Sequence, residues 1–204
     1  MNPRDEILAR VRKPAHTPRP LPELPDFARP LQPRSGTLVD FAAALQRMGG
    51  KLAEVPPGSD AAAVVQGLFP DARVTCSATP EVHGSRALAS VQHPRELDDL
   101  DVGIVRATLG VAETGSVLLT ERELGIEAIG FLAQHLVVLL DPARIVATLH
   151  DAYQDPAFGS ARYTILMTGP SATADIEGVL IHGAQGIRSL TVLPVAPPAP
   201  QPRT

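Results

Sequence analysis

The 204-residue chain is poor in the residues that most chemistries require. It has a single cysteine, Cys76, so it cannot close an internal disulfide or supply the four thiolates usual for an iron–sulfur cluster. It has two lysines, Lys13 and Lys51, which leaves Schiff-base or pyridoxal chemistry one plausible anchor in the body of the chain. Tryptophan is absent and aromatics make up 3% of residues, and no Lys/Arg cluster marks a face for nucleic acid. No apolar run approaches the roughly 20 residues of a membrane helix, the longest candidate, 131–140, being interrupted by Gln134 and His135. The first residues, MNPRDEILARVRK, lack the apolar stretch of a signal peptide, which points to a cytoplasmic protein. The six histidines, at 16, 83, 93, 135, 150 and 182, form no HxxxH or HxH pair, and Cys76 has no CxxC partner, so no metal or other cofactor site is expected. Neither GxGxxG nor GxxxxGK[ST] occurs, so nothing points to a nucleotide.

What the chain does have is patterned. Seven prolines lie between Pro14 and Pro33 and five between Pro194 and Pro202, which suppresses regular hydrogen bonding at both ends. This divides the chain into a Pro-rich arm with a short helix (1–34), a body (35–195) and a Pro-rich tail (196–204). The net charge of −4 splits accordingly, +3 on residues 1–34 and −7 on the rest.

Within the body, short apolar runs alternate with helix-like segments. Ser35 or Thr37 is placed to cap a helix over 38–48 that Gly49-Gly50 would stop, and Asp60 to cap another over 61–68. Strands are expected at 51–55, 73–76, 102–105, 117–120, 136–140, 163–168 and 189–193, and helices at 121–129, 142–153 and 173–181. Fully apolar strands separated by helices predict an α/β domain with a mostly parallel sheet covered on both faces, in which ligands bind beyond the strand ends. His135, at the start of such a strand, is read as a satisfied strand-end histidine, and Cys76 as a small buried hydrophobe.

Two segments carry the functional signal. In Leu109-Gly110-Val111-Ala112-Glu113-Thr114-Gly115-Ser116, Glu113 is flanked by small or apolar residues, and partial desolvation would make its carboxylate more reactive. Thr114 and Ser116 are placed to orient it, and the glycines allow close backbone approach; the bland alternative is a turn whose Glu caps nearby N–H groups. In Thr168-Gly169-Pro170-Ser171-Ala172-Thr173-Ala174-Asp175, Ser171 or Thr173 would cap a helix with Asp175 in its first turn. The amides of such a helix start can hold a carboxylate or phosphate, although a plain capping device is favoured.

The strings AETGSVLL (112–119) and GPSATADIEGVLIHGAQG (169–186) together resemble the signature pair of the lactate-utilisation protein C family, the LUD domain family. That family reads approximately AETGT before an apolar strand, then GPSRTADIE, then a GVHGP-like segment. Asp40-Phe41, Leu45 and Gly49-Gly50 resemble its N-terminal part. The resemblance spans about residues 35–195 and brings Gln185 into the ligand-binding set of Thr114, Gly115, Ser116, Gly169, Ser171, Thr173 and Asp175. The chain departs from the pattern where Ala172 replaces an Arg, Gln185 and Ile187 replace the His and Pro of GVHGP, and Ala133 replaces a Pro. The resemblance implies a three-layer α/β sandwich like that of glucosamine-6-phosphate isomerase, ribose-5-phosphate isomerase and CoA transferases. It also implies a place in oxidation of L-lactate to pyruvate beside iron–sulfur subunits, as an accessory or small-carboxylate-binding component with no cofactor of its own. Ala112–Gly115 is similar to the Ser-Glu-Asn-Gly stretch of CoA transferases, which leaves open an acyl-transfer enzyme with Glu113 as nucleophile.

Overall fold

The computed structural model describes residues 2–13, 20, 22–23, 36–175 and 177–198. Most of the proline-rich stretch 14–33, together with Ser35 and 199–204, lies outside the described residues. The chain divides into two units, Met1–Pro30 and Leu31–Thr204. In the first, helix α1 (Pro3–Arg12) has Pro at its first position, is capped by the Asn2 side chain and buries none of its residues.

The second unit opens with α2 (Leu38–Arg47), whose first turn is held by Thr37 accepting from the Asp40 amide at 3.1 Å. Its apolar stripe, Phe41, Ala44 and Leu45, is buried, and Gly49 at φ +81° ends it. There follow β1 (Lys51–Leu52) and α3 (Ala61–Leu68), in which the Asp60 carboxylate accepts from the Ala63 amide at 2.8 Å. Next come β2 (Thr75–Ser77), β3 (Arg86–Ala87), β4 (Val102–Arg106), β5 (Leu109–Val111) and β6 (Ser116–Thr120). Two four-residue helices, α4 (Glu121–Leu124) and α5 (Ile129–Leu132), stand where one helix was expected. The chain continues through β7 (His135–Leu140), β8 (Ile145–Val146), α6 (Leu149–Ala152), α7 (Ala157–Ser160) and β9 (Thr164–Met167). It closes with β10 (Ala172–Thr173), β11 (Ile181–His182) and β12 (Ser189–Pro194).

The parallel sheet has six strands in the order β1-β12-β7-β4-β2-β3, every pair parallel. Both its faces are buried, as continuous apolar strands require. Along β7, Leu136, Val138 and Leu140 join a core with Phe41 and Leu45 of α2, while Val137 and Leu139 join a second core with Ala61 and Val65 of α3. A second sheet, β8-β5-β6-β9, was not foreseen. It is mixed, with β6 antiparallel to both β5 and β9 and β8 parallel to β5. Val117 and Leu119 place one face of β6 in the α2 core, while Leu118 faces a third cluster with Val111 and Ala152.

Two expected helices are corrected. Over 142–153, Pro142–Arg144 makes one 3-10 turn, Ile145–Val146 become β8, and only Leu149–Ala152 are helical, restarted by a capping box between Thr148 and Asp151. The β-branched pair gains more from pairing with Gly110 and Val111 than from the helix. Over 173–181 the described residues form no helix: β10 and β11 form a separate antiparallel hairpin, Ala172 opposite His182.

Candidate functional site

The two signature segments meet. β6 pairs with β9 so that Val117 lies opposite Met167, which sets the turn before β6 beside the loop after β9. The Thr168 hydroxyl closes the junction, donating to the Gly115 carbonyl at 3.0 Å. Gly115 lies at φ +67°, and a Cβ there would sit 2.5 Å from the Leu45 Cα and overlap the Leu45 amide. Gly169, at φ +62°, is pressed against the backbone carbonyl of Met48. Both motif glycines thus let the backbone of α2 and its exit approach closely, and the Thr114 hydroxyl bonds to buried Ser116 Oγ at 2.8 Å within the same turn.

Glu113 is half-buried, and its carboxylate accepts from the Leu149 amide at 3.1 Å, the first residue of α6. One orphan donor of that helix is satisfied by a charge of the sign its dipole favours. In this contact, which spans 36 positions of sequence, Glu113 acts as a capping glutamate.

Gly169, Ser171 and Gln185 come together on a cavity of about 310 Å³, walled chiefly by Phe131, Leu166 and Ile187. Ser171 Oγ donates to the Gln185 carbonyl at 3.1 Å, and the Ser171 amide donates to the Ile187 carbonyl at 2.9 Å. That amide is therefore engaged, and strand β10 stands at 172–173 where a helix start was expected. Thr173 and Asp175 belong to the hairpin, where the Asp175 amide donates to Thr173 Oγ1 at 3.2 Å. No Lys, Arg or His lines the cavity among the described residues, and Ala172, in place of the family's Arg, is exposed.

A polar group outside both segments went unread in the sequence. At the carboxyl end of β4, Arg106 Nε donates to Glu81 Oε1 at 2.7 Å and its Nη1 to the Val195 carbonyl at 2.9 Å. Burial pushes the Glu81 carboxyl up, but hydrogen bonds from Thr79, its own backbone and Arg106, with the charge of Arg106, bring it below the usual glutamate value. The one available signal was a lone arginine ending an apolar strand. At the opposite end of the sheet His135 Nδ1 lies 2.8 Å from Ser189 Oγ and its ring packs on Phe69 at 4.8 Å, a satisfied strand-end histidine as read. Cys76 is buried and its thiol pushed up by that burial, an inert position. Among the described residues no group of three His, Cys, Asp or Glu is placed to hold a metal, and no helix is long and apolar enough to cross a membrane.

The family model of the LUD domain matches residues 82–195, more than half of the chain and both signature segments. The chain belongs to the LUD domain family. Lactate utilization protein C of Deinococcus radiodurans is 29% identical over 103 residues, 49% of this chain and 49% of that protein. An uncharacterized protein of Neisseria meningitidis is 28% identical over 102 residues, 48% of this chain and 44% of its own. This LUD protein thus spans about half the length of the curated relatives it matches. The crystal structure of a DUF162 family protein from Deinococcus radiodurans superposes with a TM-score of 0.61 at 18% identity, over 78% of this chain and 96% of that one. That likeness shows the α/β fold.

Proposed function

We propose that this LUD protein serves, in the cytoplasm, a lactate-utilisation system that oxidises L-lactate to pyruvate, as an accessory component beside iron–sulfur subunits. Residues 35–195 are the working domain, flanked by the Pro-rich 1–34 and 196–204, and its layers are those of the sandwich shared by sugar-phosphate isomerases and CoA transferases. The observation that carries the accessory reading is the use to which the signature residues are put. Glu113 caps α6, and Gly115 and Gly169 seat α2, so the segments hold the domain together. With one buried cysteine the chain cannot ligate a cluster by itself, and electrons must pass through other subunits. The cavity at Gly169, Ser171 and Gln185 has no cation on its wall to meet a carboxylate, which favours the accessory role over the carboxylate-binding one. An acyl-transfer role for Glu113 fits less well, since its carboxylate is engaged by the Leu149 amide. The test is deletion of the gene and growth on L-lactate or on pyruvate as sole carbon source. Loss of growth on lactate alone supports the reading; unchanged growth on lactate overturns it.

A further inference from the structure

We infer that β9 is the docking edge for a second copy of this chain, pairing antiparallel with its counterpart across a twofold axis. The two large sheets present four outer strands. β1, β3 and β8 are two residues each, too short to template a neighbour, and the first two carry Lys51 and Arg86. β9 is four residues, Thr164-Ile165-Leu166-Met167, with no charge and no proline, and among the described residues it pairs on one side only, with β6. Sheet edges are ordinarily blunted by short length, charge, proline or a bulge, because unpaired N–H and C=O groups recruit another strand. Among the described residues this one alone has neither shortness nor charge to protect it. All four of its side chains are half-buried, and beside it lies the apolar cavity lined by Phe131, itself 38% exposed, Leu166 and Met167. Strand addition uses such a combination, main-chain pairing for affinity and a flanking slot for side chains.

The occupant follows from charge. Twofold pairing of an uncharged strand sets no like charges opposite, with Thr164 facing Met167 of the second copy and Ile165 facing Leu166. Exposed Arg162, which makes no ion pair among the described residues, precedes the strand, and the hairpin with exposed Asp175 and Glu177 follows it. Antiparallel pairing directs the arginine end of each copy toward the acidic end of the other, whereas parallel pairing would bring like toward like. The second copy would also wall the open side of the cavity.

Oligomeric state rather than lactate growth is measured, so this inference stands or falls apart from the proposed function. Sedimentation of the full chain from about 1 to about 500 μM should show its 21.5 kDa mass rising toward twice that value. Hydrogen exchange on the same samples should slow at least about tenfold at 164–167 as the dimer forms. Paired strands bring opposite Cα atoms to about 5 Å, within disulfide reach. Thr164→Cys mixed with Met167→Cys should therefore cross-link on oxidation, while either variant alone should not, and buried Cys76 should stay out of the reaction. A monomer throughout, a dimer with unchanged exchange at 164–167, or cross-linking of Thr164→Cys with itself would overturn the inference.

Discussion

Replacing Gly115 by alanine tests the claim that the AETG segment is a packing device. Two costs combine. At φ +67° an L-residue is strained by about 1–2 kcal/mol. The new methyl would lie 2.5 Å from the Leu45 Cα, where carbon atoms need about 3.5–4 Å. The contact is backbone, so no rotamer relieves it, and α2 must withdraw by about 1 Å. That withdrawal loosens Phe41 and Leu45, both fully buried, and a partial loss of such packing costs about 2–3 kcal/mol. Gly115→Ala should therefore lose about 3–5 kcal/mol, a large share of the total stability of a domain. Gly58→Ala is the control: its φ is +82° but nothing lies within 4 Å of the added methyl, so it should lose only the strain of about 1–2 kcal/mol. Urea unfolding followed by circular dichroism, with midpoints and slopes compared, reads both. A Gly115→Ala loss no larger than that of Gly58→Ala would refute the reasoning.

Gly67 in α3 has open space around it, so Gly67→Ala should raise stability by about 0.5–1 kcal/mol, seen as a higher thermal midpoint. Thr120 is buried and completes a capping box with Glu123, accepting from the Arg122 amide at 3.1 Å; Thr120→Ala should cost about 1–2 kcal/mol in the same assay. Hydrogen bonds from the Val74 and Arg73 amides hold the Asp101 carboxyl below the usual aspartate range, so its stabilisation is present above the unfolded-state value and lost as pH falls through the lower folded-state one. Urea midpoints measured from about pH 5 to about pH 2 should fall more steeply for the parent than for Asp101→Asn.

Much of the fold was legible where local and global signals agree. The apolar runs at 102–105, 117–120, 136–140 and 189–193 became β4, β6, β7 and β12, and Thr37 and Asp60 cap the helices they were expected to cap. The failures came where distant pairing outweighed local preference. Thr173-Ala174-Asp175 carries the marks of a helix start, yet the segment pairs back on Ile181 and His182, with Gly178 and Gly183 at positive φ. Ile145-Val146 left its expected helix for β5 in the same way. For the site, the two motifs were visible in their order. The engagement of Glu113 by Leu149, and of Arg106 by Glu81 across 25 positions, depends on contacts that no local window contains.

The accessory role is tested most directly by lactate-dependent dye reduction in extracts of a strain lacking this chain, with purified protein added back. Activity should be lost in the extract and restored by the parent protein. Glu113→Gln should restore it too, since its amide oxygen can still accept from Leu149. Full activity without the chain would contradict membership of the system, and failure of a folded Glu113→Gln to restore it would make the glutamate a reacting group after all.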